Sequence, residues 1–260
     1  MTLTELSLYF QKNLCYENYI NDISQNGLQI TVENEQNFQV KKIGFAVDAC
    51  ESVANEAVNL GCDVLFVHHG YFWGHEQTLT GSHFRRVFPF LKNNVALYAA
   101  HIPLDANKTF GNNFGLAKML GMKKCVEFGT WRDMNIGVKG ELKKEFSLED
   151  LVQTLQKTIG DNILTNKIQV LNFGKGKVKT IGIISGGAGK NVVQAIEQGL
   201  DCYITGEIGH ENFHVAKEGK INVIGLGHYA SETIGLKLLM EKVVKECKIE
   251  TVFIDFPTGL

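Results

Sequence analysis

The chain has 260 residues, 44% apolar and 21% charged, with a net charge of −2. That length is comfortable for two modest domains with real cores. The near balance of 26 Lys+Arg against 28 Asp+Glu gives no electrostatic reason to expect a nucleic-acid or anionic-membrane partner. No stretch approaches the roughly 20 apolar residues of a bilayer span. Residues 1–14 carry Glu5 and no basic start, so they do not read as a secretory signal. A cytoplasmic protein is expected. Six scattered cysteines form no CxxC pair, which reads as reduced, mostly core-filling thiols.

In chain order, a first helix is expected over residues 2–14. Residues 43–69 read as strand, turn, amphipathic helix and second strand. Val53, Ala57 and Leu60 recur at helical spacing, and Gly61 stands where a helix C-cap belongs. A helix over 83–93, a strand over 95–100 and a helix over 113–120 follow. Segment 123–179 reads as the less regular part. Within it, helix 147–158 opens on Ser147 with Asp150, a capping-box variant. Strand 167–172 comes next, and the Gly- and Lys-rich stretch 174–179 reads as a hairpin or loop between two lobes. The strand–helix–strand pattern then returns without a gap over 181–207, at an offset of 138 residues. Ile43/Ile181, Gly44/Gly182, Ala57/Ala195, Gly61/Gly199 and Asp63/Asp201 coincide. A strand over 221–226, a helix over 231–246 and a strand over 251–255 complete the chain. Alternating strands and helices predict an α/β fold: two similar lobes related by an internal βαβ repeat, with mixed sheets flanked by helices. The expected division is a first lobe over 1–125, a second over 126–225 and a C-terminal segment over 226–260.

In α/β sheets, ligands bind beyond the carboxyl ends of strands, and three predicted strand ends carry ligand chemistry. One ends in His68-His69, whose side chains should point apart on an extended segment, so each suits one of two neighbouring ions. Another ends in His101, followed by Asp105. The third ends before His228, followed by Glu232, four residues apart and so on one face of a helix starting there. Imidazole plus carboxylate suits zinc, iron, manganese, cobalt or nickel. A carboxylate can bridge two ions, and Asp105 and Glu232 are the candidates. His75, His83, His210 and His214 read as ordinary surface or core histidines. The SGGAG stretch at 185–189 lies between strand and helix. It is either a tight turn that lets the helix pack closely or a backbone cradle for phosphate.

Together these motifs resemble the GTP cyclohydrolase 1 type 2 homologue family, the NIF-three-like dinuclear metal proteins. The matching stretches are NGLQ at 26–29, FVHHG at 66–70, AHIPLDA at 100–106, SGGAG at 185–189, ITGE at 204–207 and GHYASE at 227–232. They stand in family order and span almost the whole chain. The chain departs from the family's frequent Trp or Asp just before NGLQ, having Ser24-Gln25. The resemblance implies two divalent ions per chain held by His68, His69, Asp105, His228 and Glu232. His68 and Asp105 would serve one ion and His69 the other. Asp105 and Glu232 would bridge, and His228 would complete the set. His101 would line the site or support it as a proton-transferring catalytic residue. The segment 226–260 would return GHxxxE to the metal motifs. The resemblance also implies a toroidal homohexamer.

The function so implied is metal-dependent hydrolysis of the GTP cyclohydrolase 1 type 2 kind, on a nucleotide or similar small molecule. Ring opening of GTP needs an activated water, a proton donor and groups that hold the triphosphate. The first two are present in the motifs, whereas Lys and Arg cluster in none. The alternatives are a metal-trafficking or metal-storage protein that catalyses nothing, and a partner-binding ring in which metal is structural.

Overall fold

A computed structural model describes residues 1–160 and 167–260. Its strands are β1 (Gly27–Ile30), β2 (Lys42–Asp48), β3 (Val64–His69), β4 (Ala96–Ala99), β5 (Lys123–Trp131), β6 (Met134–Ser147), β7 (Gln169–Asn172), β8 (Lys177–Ile184), β9 (Cys202–Thr205), β10 (Asn222–Gly225) and β11 (Glu250–Phe253). Its helices are α1 (Leu3–Leu14), α2 (Glu51–Asn59), α3 (Gly81–Asn93), α4 (Ile102–Asp105), α5 (Asn112–Met119), α6 (Leu148–Ile159), α7 (Val192–Glu197), α8 (Asn212–Glu218) and α9 (His228–Cys247). The chain divides into two compact units. One comprises Met1–Leu104 with Leu236–Phe256, the other Asp105–Gly235 with Pro257–Leu260. Among the described residues, no helix is long and apolar enough to cross a membrane.

The first unit holds a five-stranded sheet in the order β1-β4-β3-β2-β11. β11, β2, β3 and β4 run parallel, and β1 closes the edge antiparallel to β4. α1 forms because Thr2 and Glu5 cap it reciprocally: Thr2 Oγ1 accepts from Glu5 N, and Glu5 Oε2 accepts from Thr2 N at 2.8 Å. Its buried stripe of Leu3, Leu6, Phe10 and Leu14 includes Phe10, which lies 4.8 Å from the Phe66 ring and 4.9 Å from Tyr98. Alternate residues Leu65, Val67, Leu97 and Ala99 face the other way and join Val53, Ala57, Val87 and Phe90 of α2 and α3 in one apolar cluster. Each large side chain so buried contributes about 1.5–3 kcal/mol.

The second unit holds a six-stranded sheet in the order β5-β6-β8-β9-β10-β7. β8, β9 and β10 are parallel, and β7 lies antiparallel to β10. The βαβ repeat is therefore present in both units, as β2-α2-β3 and β8-α7-β9. It extends further than its sequence identities suggest. In each unit a third parallel strand follows, and the strand preceding the repeat pairs antiparallel with it: β1 with β4, and β7 with β10. Ser147 caps α6 as expected, accepting from Asp150 N.

Two expectations are corrected. Among its described residues segment 123–179 is largely regular, because β5 and β6 form a long antiparallel hairpin that continues the sheet and α6 follows. Its turn has Arg132 and Asp133 at φ 48° and 62°, the double left-handed geometry that a two-residue hairpin requires but that sequences usually advertise with Asn-Gly. In the stretch 174–179, residues 174–176 link β7 to β8 inside the second unit and residues 177–179 open β8; the two strands do not form a hairpin, since β7 pairs with β10 and β8 with β6 and β9. The cysteines are all free, but only Cys62 and Cys202 are buried; the other four are partly exposed.

Candidate metal centre

In the first unit the carboxyl ends of β2, β3 and β4 converge on a group of histidines. β3 ends in His68-His69. Period-2 alternation sends such neighbours to opposite faces, yet here the two rings come together at the strand tip. His68 Nδ1 donates to Ala100 O at 2.9 Å, beyond the end of β4, and His69 Nδ1 to Asp48 Oδ1 at 2.8 Å, at the end of β2. Their ring centroids are 4.6 Å apart. His101 donates from Nδ1 to Asp22 Oδ1 at 2.9 Å, and its ring lies 5.2 Å from His68 and 5.7 Å from His69. A carbonyl or carboxylate acceptor keeps the proton on Nδ1, so Nε2 is the nitrogen each ring offers to an ion. The ligand nitrogens of the three lie within 4.8 Å of one another. Trp73 stands edge-on to His101 at 5.1 Å, its Nε1 donating to Gly70 O.

The NGLQ segment holds these loops in place. Asn26 Oδ1 accepts from His101 N at 2.7 Å, and its Nδ2 donates to Asp22 Oδ2 at 2.8 Å. Gln29 Oε1 accepts from Tyr71 N at 2.9 Å, just after His68-His69. A Cβ at Gly70 would meet the Gln29 amide at 2.3 Å, so only glycine admits that bond. Asp22 is half-buried. Burial opposes its ionisation, but hydrogen bonds from His101, Asn26 and Ser24 N outweigh it and hold the carboxyl below the usual range.

In the second unit, α9 opens at His228, three residues earlier than expected, and its first turn presents His228 and Glu232. His228 Nε2 lies 3.2 Å from Glu232 Oε1 and Nδ1 lies 2.5 Å from Glu207 Oε1. Burial pulls the imidazole pKa down, but Glu232 and Glu207 overcome it and raise it to about 9. Asp105 and Glu232 are buried, with carboxylate oxygens within 4.8 Å of each other. Asp105 Oδ1 accepts from Asn112 Nδ2 at 2.8 Å and Ser185 Oγ at 2.7 Å. Two acceptor-only anions this close in a low-dielectric setting repel unless a cation or proton offsets them.

The SGGAG stretch is the tight turn that packs against these groups. Gly186 has φ +65°, and a Cβ there would lie 2.2 Å from Glu232 Oε1. Its N–H is taken by Ser231 Oγ at 3.0 Å, and Ser185 N by Asn113 Oδ1 at 2.8 Å.

Within each unit, then, the residues expected from sequence do gather: His68, His69 and His101 in the first, Asp105, His228 and Glu232 in the second. Of these side chains His68, Asp105 and Glu232 are buried and the other three partly exposed, and as groups they could hold a metal ion. Among the described residues, His75, His83, His210 and His214 belong to no such group. Sequence reasoning missed Asp22, Asp48 and Glu207, the three carboxylates that hold His101, His69 and His228. Asp48 was findable, because it ends a strand paired in register with His69. Glu207 also had a signal: it stands 138 residues after His69, at the same place in the repeat.

A profile of the Duf34/NIF3 family (NGG1p interacting factor 3) matches residues 1–258. A protein of Treponema pallidum named GTP cyclohydrolase 1 type 2 homolog is 37% identical over the full length of both chains. One of the same name from Archaeoglobus fulgidus is 38% identical, again over all of both. Among solved structures, TTHA1606 from Thermus thermophilus superposes with a TM-score of 0.88 at 34% identity, covering 100% of each chain. The protein ybgI, described as of unknown function, gives a TM-score of 0.88 at 30% identity with the same coverage.

Proposed function

Because the chain belongs to the Duf34/NIF3 family, we propose that it holds two divalent metal ions through His68, His69, Asp105, His228 and Glu232, and that it hydrolyses a nucleotide or similar small molecule. The observation that carries the reading is the anchoring of the donors. Each histidine has its Nδ1 fixed by an oxygen acceptor, and the buried Asp105 is oriented by Ser185 and Asn112. That is the supporting shell metal ligands require. The donor set of imidazole and carboxylate fits zinc, iron, manganese, cobalt or nickel.

When bound, such ions lower the pKa of water and polarise the bond under attack. The chain's own residues supply the rest. Asp22 and Asn26 fix the ring and backbone of His101, whose Nε2 can pass a proton to a leaving nitrogen. Trp73 stands beside the histidine group, 6.0 Å from the His69 ring and 5.1 Å from that of His101. The relatives' name supports a purine nucleotide as the substrate to try first. Assembly as a homohexameric ring belongs to the same proposal; light scattering that finds a stable monomer at micromolar concentration overturns that part.

The test is elemental analysis of gently purified protein, followed by incubation of the metal-replete chain with a nucleotide panel and chromatography of the products. About two ions per chain and turnover lost on chelation support the proposal. Two ions without turnover, exchanging rapidly, overturn the hydrolase part in favour of metal carriage. No ion after reconstitution overturns both.

A further inference from the structure

A cavity of about 650 Å³ lies at the β7 edge of the second unit's sheet, where α8 packs beside that strand. Small-molecule sites occupy roughly 300–1,000 Å³ and combine apolar walls with a few polar groups. The walls here are Val170 and Leu171 of β7, Ile208 of the loop before α8, and Phe213 of α8. Gln169, His210 and His214 supply the polar groups. Among the described residues no hydrogen bond or ion pair engages these three side chains. The amide and both imidazoles therefore keep donors and acceptors for a ligand.

The loop that carries these groups is fixed from inside. Asn212 is 3% exposed; its Oδ1 accepts from Gly209 N at 2.7 Å, and its own N–H donates to Gly209 O at 3.0 Å. Phe213 N donates to His210 O at 3.2 Å. The Phe213 ring is braced edge-on by two others, Phe173 at 5.1 Å and 86° and His214 at 5.3 Å and 85°. Yet Phe213 stays 40% exposed and Val170 38%. The cavity thus has a positioned aromatic ring that the fold leaves uncovered. Among the described residues its lining contains no Lys, Arg, Asp or Glu, so nothing there selects a phosphate, a carboxylate or an ammonium by charge. A flat, uncharged ring with donors and acceptors on its edge fits instead. Its face stacks on Phe213 and its edge meets an amide and two imidazoles, each able to donate and to accept.

We propose that this cavity binds a nucleobase, stacked on Phe213 and read at its edge by Gln169, His210 and His214. Ile208 directly follows Glu207, which holds His228, so the loop that lines the cavity also supports the second unit's metal-ligand group. As the place for the base of a nucleotide substrate, the cavity rests on the function proposed above; the binding of a base does not.

The full chain is titrated by calorimetry with guanosine, adenosine, uridine and ribose, before and after chelation of any metal. Saturable binding of the nucleosides, absent for ribose and unchanged by chelation, is expected. Phe213→Ala should weaken it about tenfold or more, the effect of losing one base–aromatic stack, and Phe213→Tyr should keep it. Gln169→Ala and His210→Ala should each weaken it roughly 2–10-fold, the effect of one hydrogen bond. Circular dichroism checks each fold. Should Phe213→Ala not fold, the Gln169 and His210 variants decide, since both side chains are exposed. No nucleoside binding by wild type, equal affinity in wild type and the folded variants, or binding lost on chelation overturns the inference. The hydrolase reading is judged separately. Base binding without turnover of any nucleotide defeats that reading and leaves the cavity's role standing. Turnover with a KM that Phe213→Ala does not move retains the hydrolase and overturns the inference.

Discussion

Asp63 and Asp201, 138 residues apart, make the same hydrogen bonds in their respective units. Asp63 Oδ2 accepts from the backbone N–H groups of Lys41 and Lys42 at 2.7 and 3.0 Å, just before and at the start of β2. Asp201 Oδ2 accepts from those of Lys179 and Thr180 at 3.0 and 2.9 Å, within β8. Each follows a glycine in the left-handed conformation, Gly61 at φ +67° and Gly199 at φ +65°. Each thus ties the turn after the repeat's helix to the repeat's first strand.

That relationship predicts matched losses. Asp63→Ala and Asp201→Ala each leave two backbone donors without their acceptor, and each should lower stability by roughly 1–3 kcal/mol. Asp201 also accepts from Thr180 Oγ1 and Lys175 Nζ, so its loss should be the larger. Burial raises the Asp201 pKa, but the N–H groups of Thr180 and Lys179, with Lys175, bring it below the usual value. A depressed carboxyl contributes stability that is complete above its unfolded pKa of about 3.9 and lost as pH falls through the folded value. Urea midpoints should therefore separate wild type from Asp201→Asn at pH 7 and converge toward pH 3.

Metal retention should depend more on Asp105 than on His69. On the proposed reading Asp105 would bridge two ions, whereas His69 would hold one. Removing Asp105 also leaves two cations in less screened repulsion. Ion content after dialysis is the measure: His69→Ala should keep about one ion per chain and Asp105→Ala close to none. Equal retention in Asp105→Ala and wild type contradicts bridging.

Metal uptake should release protons, and His228 should be a main source. With its pKa raised to about 9, the ring of chelator-stripped protein is protonated at pH 7.5 and must lose that proton to bind an ion. Affinity should rise with pH up to about 9 and level off above it. The sign for folding is opposite. The raised pKa stabilises the metal-stripped chain fully below the unfolded value of about 6.5, and that contribution fades as pH climbs through about 9. Calorimetry in two buffers of different ionisation heat counts the protons. Glu207→Gln should lower the count at pH 7.5, and an unchanged count would speak against His228 as a ligand.

Neighbouring glycines should respond differently to one methyl group. At Gly186 an alanine is forced to φ +65° and within 2.2 Å of Glu232 Oε1, whereas at Gly187 the nearest atom is His228 Cε1 at 3.6 Å. Gly186→Ala should cost about 1–2 kcal/mol for the backbone alone and loosen metal binding by displacing Glu232. Gly187→Ala should be near neutral in both. Thermal melts with and without added Zn(II) compare them.

The repeat was legible because its signals are local. Gly61 and Gly199 mark helix ends that only a left-handed residue completes, and Asp63 and Asp201 follow two positions later. His68-His69, Asp105 and the His228/Glu232 pair were legible because ligand-type residues stood at expected strand ends. The β5–β6 hairpin was not, since Arg132 and Asp133 reach positive φ without a glycine to announce it. Asp22 was hidden for another reason. It acts through His101, 79 positions away, and no periodicity encodes a partner that only the fold brings near.

His69 and Glu207 occupy the same place in the duplicated frame, one an imidazole and the other a carboxylate. The consequence is a division by donor hardness. The first unit offers an all-nitrogen edge, the second an edge dominated by the oxygens of Asp105, Glu207 and Glu232. Nitrogen-rich sets favour borderline ions such as zinc, nickel and copper, while oxygen-rich sets favour manganese and magnesium. Ions held through the first edge and ions held through the second would therefore be ranked in two different orders, although the two edges occupy matching places in the repeat.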